Sequence, residues 1–213
     1  MSRRPGPRHG LTLAELLVVI GIISALCMLI LPVVGAVLGT AHCTACCNNL
    51  RQIGTCLIAY ATDHHGRLPA ESNKGDLDPA TSPAWFYRLP PYADRQDVSG
   101  DHTIFQCPRF DWQGPQVIDH ASPKSYKMNA YLDNATKRMN HRFAGGHDSG
   151  VVLFIDAIAG ETGMGQWGHC YHTAVDDTRH GGKVNLLYLD CQTVRTVERE
   201  PGKNWMTTLN WRP

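Results

Sequence analysis

An apolar stretch near the amino terminus is the strongest pattern in this chain of 213 residues. Across residues 11–38 the only formal charge is that of Glu15. A helix of this length, rising about 1.5 Å per residue, is long enough to cross a hydrocarbon core of about 30 Å. We therefore predict a transmembrane helix over residues 11–38 that carries one acid near its start.

A helical stripe continues beyond this segment. Apolar side chains recur every three or four positions, at Cys46, Leu50, Ile53, Leu57 and Tyr60. This period is typical of an amphipathic helix. The intervening polar residues, which should form the solvent side, are Asn48, Asn49, Arg51 and Gln52. We predict that the helix continues over residues 39–65, stops at Gly66 and lays its stripe on a sheet.

The remainder of the chain alternates between turn-forming stretches and short apolar runs. Residues 66–150 are rich in Pro, Gly, Asp and Ser, which is typical of loops and short elements. Residues 151–156 predict a buried strand, and residues 183–189 and 193–197 predict a hairpin with its turn near Asp190. The expected fold is α+β, with a long N-terminal helix packed on a small antiparallel β-sheet.

The charge distribution predicts how the chain is oriented. Residues 1–10 carry Arg3, Arg4 and Arg8 and no acid, and positive residues stay on the cytoplasmic side of a membrane. Residues 66–213 should then form a loop-rich extracytoplasmic domain. The formal net charge of +1 gives no electrostatic reason to expect nucleic acid as a partner. Glu15 is either a functional acid, because burying a charge in hydrocarbon is costly, or an interfacial residue that stays hydrated.

The segment from Gly10 to Glu15, Gly-Leu-Thr-Leu-Ala-Glu, resembles the processing site of type IV pilins and type II secretion pseudopilins. The resemblance implies that a prepilin peptidase cuts between Gly10 and Leu11 and that the new amino group is N-methylated. Leu11 replaces the usual Phe. In an assembling fibre Glu15 would pair with the amino terminus of a neighbouring pilin-like subunit. Pro32 resembles the helix-kinking proline of pilins.

Further segments look like a large pseudopilin-like family of planctomycete-type bacteria. They are residues 46–54, 60–63, 66–69, 105–108 and 125–129, and a closing motif in which nine residues separate His180 from Asp190. We expect His180 and Asp190 to be structural, as a hydrogen-bonding imidazole and a turn residue. The family follows this Asp with Gly. Here Cys191 follows instead, and because Cys does not suit a positive φ we expect a different turn type.

Eight cysteines are many for a chain of this size, and an exported location permits disulfides. Cys27 should be an ordinary buried thiol of the apolar helix. The first pairing we expect is Cys46 with Cys107, because both lie in the family-like segments and the helical stripe brings Cys46 to the sheet. The second is Cys170 with Cys191. The sequence alone leaves the connectivity open.

The sequence predicts no metal, no cofactor and no catalysis. Cys43, Cys46 and Cys47 beside His42 form half of a zinc pattern that has no second half. A C-terminal group with zinc or calcium ligand types is better explained as solvated loop side chains; it comprises His169, Cys170, His172, Asp176 and Asp177. The chain has no Gly-x-Ser-x-Gly, His-Glu-x2-His or phosphate-binding motif, which disfavours an enzyme.

Two hypotheses of function remain. The first is a pseudopilin or pilin-like structural subunit, single-pass in a bacterial inner membrane or built into a pilus or pseudopilus. The second is a membrane-anchored module that binds an extracytoplasmic ligand and uses the pilin-like segment for export. Exposed aromatic residues in loops would favour the second hypothesis; the candidates are Trp85, Tyr87, Trp112 and Trp167.

Overall fold

A computed structural model describes residues 13–72, 76, 78, 80–94, 103–110, 125–132, 150–158 and 168–212. The chain separates into two compact units, Met1–Ala41 and His42–Pro213. Helix α1, Leu13–Asp63, begins in the first unit and ends in the second. The prediction of one long N-terminal helix is therefore confirmed.

In the first unit, α1 exposes its large apolar side chains. The segment Leu13–Leu31 is long and apolar enough to cross a membrane, and none of it is buried within the protein. This is consistent with a single-pass membrane anchor. Cys27 is exposed like its neighbours, so the expectation that it is buried in the protein is wrong. The helix runs through Pro32 without ending there.

In the second unit, α1 buries the predicted stripe. The side chains from Cys46 to Tyr60 at these positions are all at most 9% exposed and join one core cluster with the sheet. The helix ends at Asp63, and the amide of Gly66 donates to the carbonyl of Ala61 over 2.7 Å. His65 takes the left-handed conformation, with φ at 56°. The stop is therefore a Schellman-type turn centred on His65, one residue before the predicted Gly66.

A five-stranded sheet forms the centre of this unit. Its strands are β1 (Tyr126–Asn129), β2 (Val152–Asp156), β3 (His169–Cys170), β4 (Lys183–Tyr188) and β5 (Val194–Glu198), in the order β3-β1-β2-β4-β5. Four strands pair antiparallel, but β3 runs parallel to β1. The prediction of a purely antiparallel sheet is therefore wrong at the β3 edge. Strand β3 is only two residues long, which is too short for an alternating pattern to reveal it in the sequence.

Both faces of the sheet are covered. An irregularity between Val152 and Phe154 turns two successive side chains, Leu153 and Phe154, toward α1. Val152 and Ile155 face a second core cluster on the opposite side. That side is covered by the C-terminal segment, which includes the short helix α3 (Trp205–Thr208), whereas the short helix α2 (Trp85–Arg88) belongs to the cluster on the α1 side. The sequence analysis did not predict this cover.

The C-terminal hairpin forms nearly where the sequence predicts it, from β4 and β5. Asp190 organises the turn: its carboxylate accepts hydrogen bonds from the amides of Gln192 and Thr193 and from the Thr193 hydroxyl. Cys191 adopts a positive φ of 57°, so the expectation that Cys would avoid this conformation is wrong. The hydrogen bonds from Gln192 and Thr193 to Asp190 span Cys191 and hold this otherwise unfavourable backbone conformation.

Candidate functional site

Two cysteines from distant parts of the chain meet beneath α1. The Sγ atom of Cys46, on the helix, lies 2.7 Å from Sγ of Cys107, and both residues are buried. Two further contacts hold the loop of residues 103–110 at this position. Asn49 Nδ2 donates to the carbonyl of Gln106 over 3.0 Å, and the amide of Cys107 donates to Ser125 Oγ over 2.6 Å. Asn49, predicted to face solvent, is thus half-buried in this contact.

His180 extends this contact toward a buried charge. Its Nε2 lies 3.5 Å from Cys107 Sγ and 3.5 Å from Asp156 Oδ2, and its side chain is buried. Asp156 ends β2 and is fully buried. Its Oδ2 also accepts a hydrogen bond from the amide of Asn185 over 2.8 Å. The loop before β4 therefore brings His180 between a thiol pair and a carboxylate.

Arg179 balances the charge of Asp156. A terminal nitrogen of its guanidinium lies 3.4 Å from Asp156 Oδ1 and donates to the carbonyl of Ala157 over 2.9 Å. Its Nε lies 3.4 Å from a carboxylate oxygen of Asp176. Because a buried carboxylate without a partner is costly, this arginine is the reason that an acid is tolerated at the end of an apolar strand.

Burial and mutual charge shift the pKa of each group. The hydrogen bond from Cys46 lowers the pKa of Cys107, and His180 and Arg179 act in the same direction against burial. The same contact, together with burial, raises the pKa of Cys46. Burial lowers the pKa of His180, but Cys107 and the negative Asp156 outweigh it and leave that pKa raised. Burial raises the pKa of Asp156 to about 6.

This arrangement offers two kinds of chemistry. Two adjacent thiols can be oxidised to a disulfide. Alternatively, two thiolates and an imidazole are ligand types that zinc accepts. Among the residues that the structure describes, Cys46, Cys107 and His180 form the one group whose possible ligand atoms all lie within 4.8 Å of one another.

The structure separates the other residues that the sequence analysis weighed as metal ligands and disfavoured. Cys43 and Cys47 each contact Asn185 Oδ1, at 3.3 and 3.2 Å, and so point away from Cys107. In the C-terminal group, His172 Nδ1 lies 2.5 Å from the Tyr131 hydroxyl. Asp176 pairs with Arg179, and Asp177 lies 3.9 Å from Arg199. Within the described residues, neither of these two sets brings its ligand atoms together at one point.

The second predicted disulfide, Cys170 with Cys191, is wrong. Cys170 lies on the edge strand β3, and Cys191 follows β4, three positions away in the sheet. Three strand spacings amount to about 14 Å, whereas bridged cysteines need Cα atoms within about 7 Å. The two thiols also belong to clusters on opposite faces.

The remaining predicted residues lie in separate parts of the chain. Glu15 lies in the first turn of α1, and Asp190 lies in the hairpin turn, apart from His180 at the other end of β4. Gly10 and Leu11 are outside the described residues, and so are Trp112 and Trp167.

Trp85 is fully buried, and its Nε1 donates to the carbonyl of Gly168, so it offers no exposed binding surface. Tyr87 packs against the same core.

Sequence reasoning assigned no role to Asp156 or Arg179. The sequence does contain a signal for Asp156, because this acid directly follows a run of five apolar residues. Such an acid either ends the strand in solvent or needs a buried partner. Nothing local in the sequence identifies that partner, because Arg179 lies 23 residues further along the chain.

No family model, curated protein or solved structure matches this chain. Its function must therefore be inferred from its own residues and geometry.

Proposed function

We propose that this protein is a pilin-like structural subunit of a type II secretion or type IV pilus-like system. In this proposal, prepilin peptidase cuts between Gly10 and Leu11, N-methylates Leu11, and releases a subunit that assembles through its N-terminal helix. The observation that carries the proposal is the division of α1: an exposed apolar half that begins with a single acid, and a second half packed on a sheet.

The energetic cost of Glu15 supports an intermolecular role. An acid in the first turn of a helix gains about 0.3–1 kcal/mol from the positive end of the helix dipole. Placing a charge within the hydrocarbon region costs several kcal/mol. The helix dipole by itself offsets only part of that cost. In a fibre, a neighbouring subunit's amino terminus, created only by cleavage before Leu11, would place a positive charge beside Glu15.

The exposed apolar half supports assembly in the same way. Large side chains such as Leu13, Met28 and Leu29 are more than 70% exposed in the single chain. Lipid covers them before assembly, and the same helices of other copies would cover them in a fibre. In this proposal the protein lies in a bacterial inner membrane with its second unit on the extracytoplasmic side. The anchored ligand-binding module loses one of its four candidate aromatic residues, because Trp85 is buried.

Processing and assembly are tested together in cells with and without a prepilin peptidase. We expect intact mass and N-terminal sequencing to find a chain that begins at N-methylated Leu11 only when the peptidase is present. Gly10→Val should prevent the cut. Glu15→Val should be cut but lose the chemical cross-links between copies. Ser24→Ala, which changes another polar residue of the same exposed helix half, should retain both. A native chain that keeps residues 1–10 beside an active peptidase would contradict the proposal.

A further inference from the structure

The contact between Cys46 and Cys107 suits a covalent bond better than a metal ion. Two thiolates on a tetrahedral zinc, each about 2.3 Å from the ion, stand about 3.8 Å apart. The two sulfur atoms here are 2.7 Å apart. A metal-bound histidine also donates its second ring nitrogen to a carbonyl or carboxylate as a rule. His180 Nδ1 is buried and has no hydrogen-bond partner within the described part of the chain.

We propose that Cys46 and Cys107 form a disulfide in the exported protein and that this bond fastens the loop of residues 103–110 to α1. The proposal takes from the function above only the extracytoplasmic location of the second unit, where thiols meet an oxidising environment. It does not depend on cleavage or on polymerisation. The hydrogen bonds of Asn49 and Ser125 to the same loop bring the two thiols together without the covalent bond.

The exchange begins at one of the two thiols. As a thiolate, it attacks a sulfur of a donor disulfide, which belongs either to a thiol-disulfide exchange protein or to a small molecule such as oxidised glutathione. The donor S–S bond breaks, and one donor sulfur leaves as a thiol. The second cysteine then attacks the sulfur of the first cysteine in the mixed disulfide, and the second donor sulfur leaves as a thiol with the second proton.

Burial makes this disulfide structural rather than regulatory. Cys46 is 0% and Cys107 is 3% exposed, so a reductant cannot reach either sulfur while the loop is docked. The exchange must therefore take place during folding, before the loop closes on α1. Once formed, the bond should resist reductant in the folded protein and yield to it only after unfolding.

The test uses the full chain extracted from membranes. Free thiols are alkylated in denaturant without reductant, and the protein is then digested with trypsin. Residues 96–109 form a peptide whose single cysteine is Cys107. We expect this peptide to be joined by a disulfide to the tryptic peptide that ends at Arg51 and contains Cys46. Cys46→Ser should abolish the link, whereas the matched control Cys47→Ser should keep it, because Cys47 contacts Asn185 instead.

A second experiment tests the disulfide without relying on the extracytoplasmic location of the protein. The purified full chain, reduced in denaturant and refolded in detergent with oxidised glutathione, should form the same link. Reduction of that link should be at least about tenfold slower in the folded than in the unfolded protein. The proposal is overturned if the refolded chain keeps both thiols open to alkylation, links Cys107 through Cys47, or binds one equivalent of zinc at these thiols instead.

The two proposals fail separately in this design. A linked chain that retains residues 1–10 supports the disulfide and contradicts the pilin-like function. A chain that begins at Leu11 with both thiols free after refolding contradicts the disulfide and supports the function.

Discussion

Asp156 is a fully buried acid on which several polar contacts of the second unit converge. Its carboxylate accepts a hydrogen bond from the amide of Asn185 and forms an ion pair with Arg179. His180 Nε2 lies 3.5 Å from an oxygen of the same carboxylate. Through Asn185 it is also linked to α1, because the Asn185 side chain contacts both Asp156 and Cys47. A single buried carboxylate thus connects β2, β4, the loop before β4 and the helix.

Replacing this carboxylate should strongly destabilise the protein. Asp156→Ala removes one of the two carboxylates that pair with the buried Arg179, together with the acceptor of the Asn185 amide, and we expect a loss of about 3–5 kcal/mol in the free energy of unfolding. Urea unfolding of the full chain in detergent, followed by tryptophan fluorescence, measures this loss. Asp177→Ala is the matched control, since its pair with Arg199 is partly solvent-exposed, with the two charged atoms 3.9 Å apart, and should contribute less than about 1 kcal/mol. Equal losses in the two variants would contradict the assignment of Asp156 as a buried centre.

At the scale of elements, α1 meets the hairpin turn at Gly54. A Cβ atom added there would lie 2.2 Å from the carbonyl oxygen of Cys191. This close approach explains why a glycine is accepted inside a helix, where it costs about 1 kcal/mol relative to alanine. It also fixes the distance between the helix and the turn that carries the positive φ of Cys191.

We therefore expect Gly54→Ala to destabilise the protein even though alanine favours helices. The helix or the turn must shift to relieve the overlap, at a cost of about 1–3 kcal/mol. Gly39→Ala is the control, because a Cβ there meets nothing within 4 Å and should leave stability unchanged or slightly higher. Thermal unfolding of both variants, monitored by circular dichroism, tests this. Stabilisation by Gly54→Ala would show that the helix lies further from the turn.

The hairpin turn itself should respond to pH through Asp190. Burial raises the pKa of Asp190, but the hydrogen bonds from Thr193 and Gln192 outweigh it and hold that pKa below 3.8. A lowered pKa means that the carboxylate stabilises the fold above pH 3.8 and loses this effect as the pH falls through its folded-state pKa.

Asp190→Ala should accordingly cost about 1 kcal/mol at pH 7. Urea unfolding at a series of pH values from 7 to 3 should show the difference from the native protein shrinking only below pH 3.8. Gln192→Ala should match the native protein at every pH, because Gln192 contributes only its backbone amide to the turn. A difference that stays constant down to pH 3 would argue against an ionised Asp190 as the acceptor.

At the scale of the whole molecule, the second unit is a sheet covered on both faces by different parts of the chain. One face is covered by α1. The other depends on the C-terminal segment, where Trp211 Nε1 donates to the carbonyl of Trp205 and Asn129 Nδ2 donates to the carbonyl of Trp211. Trp205 and Trp211 therefore belong to the core.

Trp211→Ala should remove much of that cover. Truncating a buried tryptophan costs about 3–5 kcal/mol. Its neighbour provides the control: Arg212 is exposed, and its guanidinium lies over the ring of Tyr131, so Arg212→Ala should cost less than about 1 kcal/mol. Limited proteolysis of the full chain compares them directly. Equal resistance of the two variants would contradict a structural role for the C-terminal segment.

Features with a local period were predictable from the residues alone. The membrane-length helix, the stripe from Cys46 to Tyr60, strand β2 and the β4–β5 hairpin each repeat a pattern of burial along a few neighbouring positions. The period of the helical stripe also predicted that Cys46 faces the sheet, and this is where it meets Cys107. These features need no knowledge of distant contacts, because the side chains of one helix or strand face must share one environment.

Tertiary packing decided everything that joins distant segments. The parallel β3, the left-handed Cys191, the C-terminal cover and the meeting of His180 with Cys107 and Asp156 have no periodic signal. Each arises because a group that cannot remain buried alone finds its partner only when the sheet is assembled. Arg179 is the clearest case, since it lies in the loop before β4, the charge it neutralises lies at the end of β2, and the need for it exists only once Asp156 is buried.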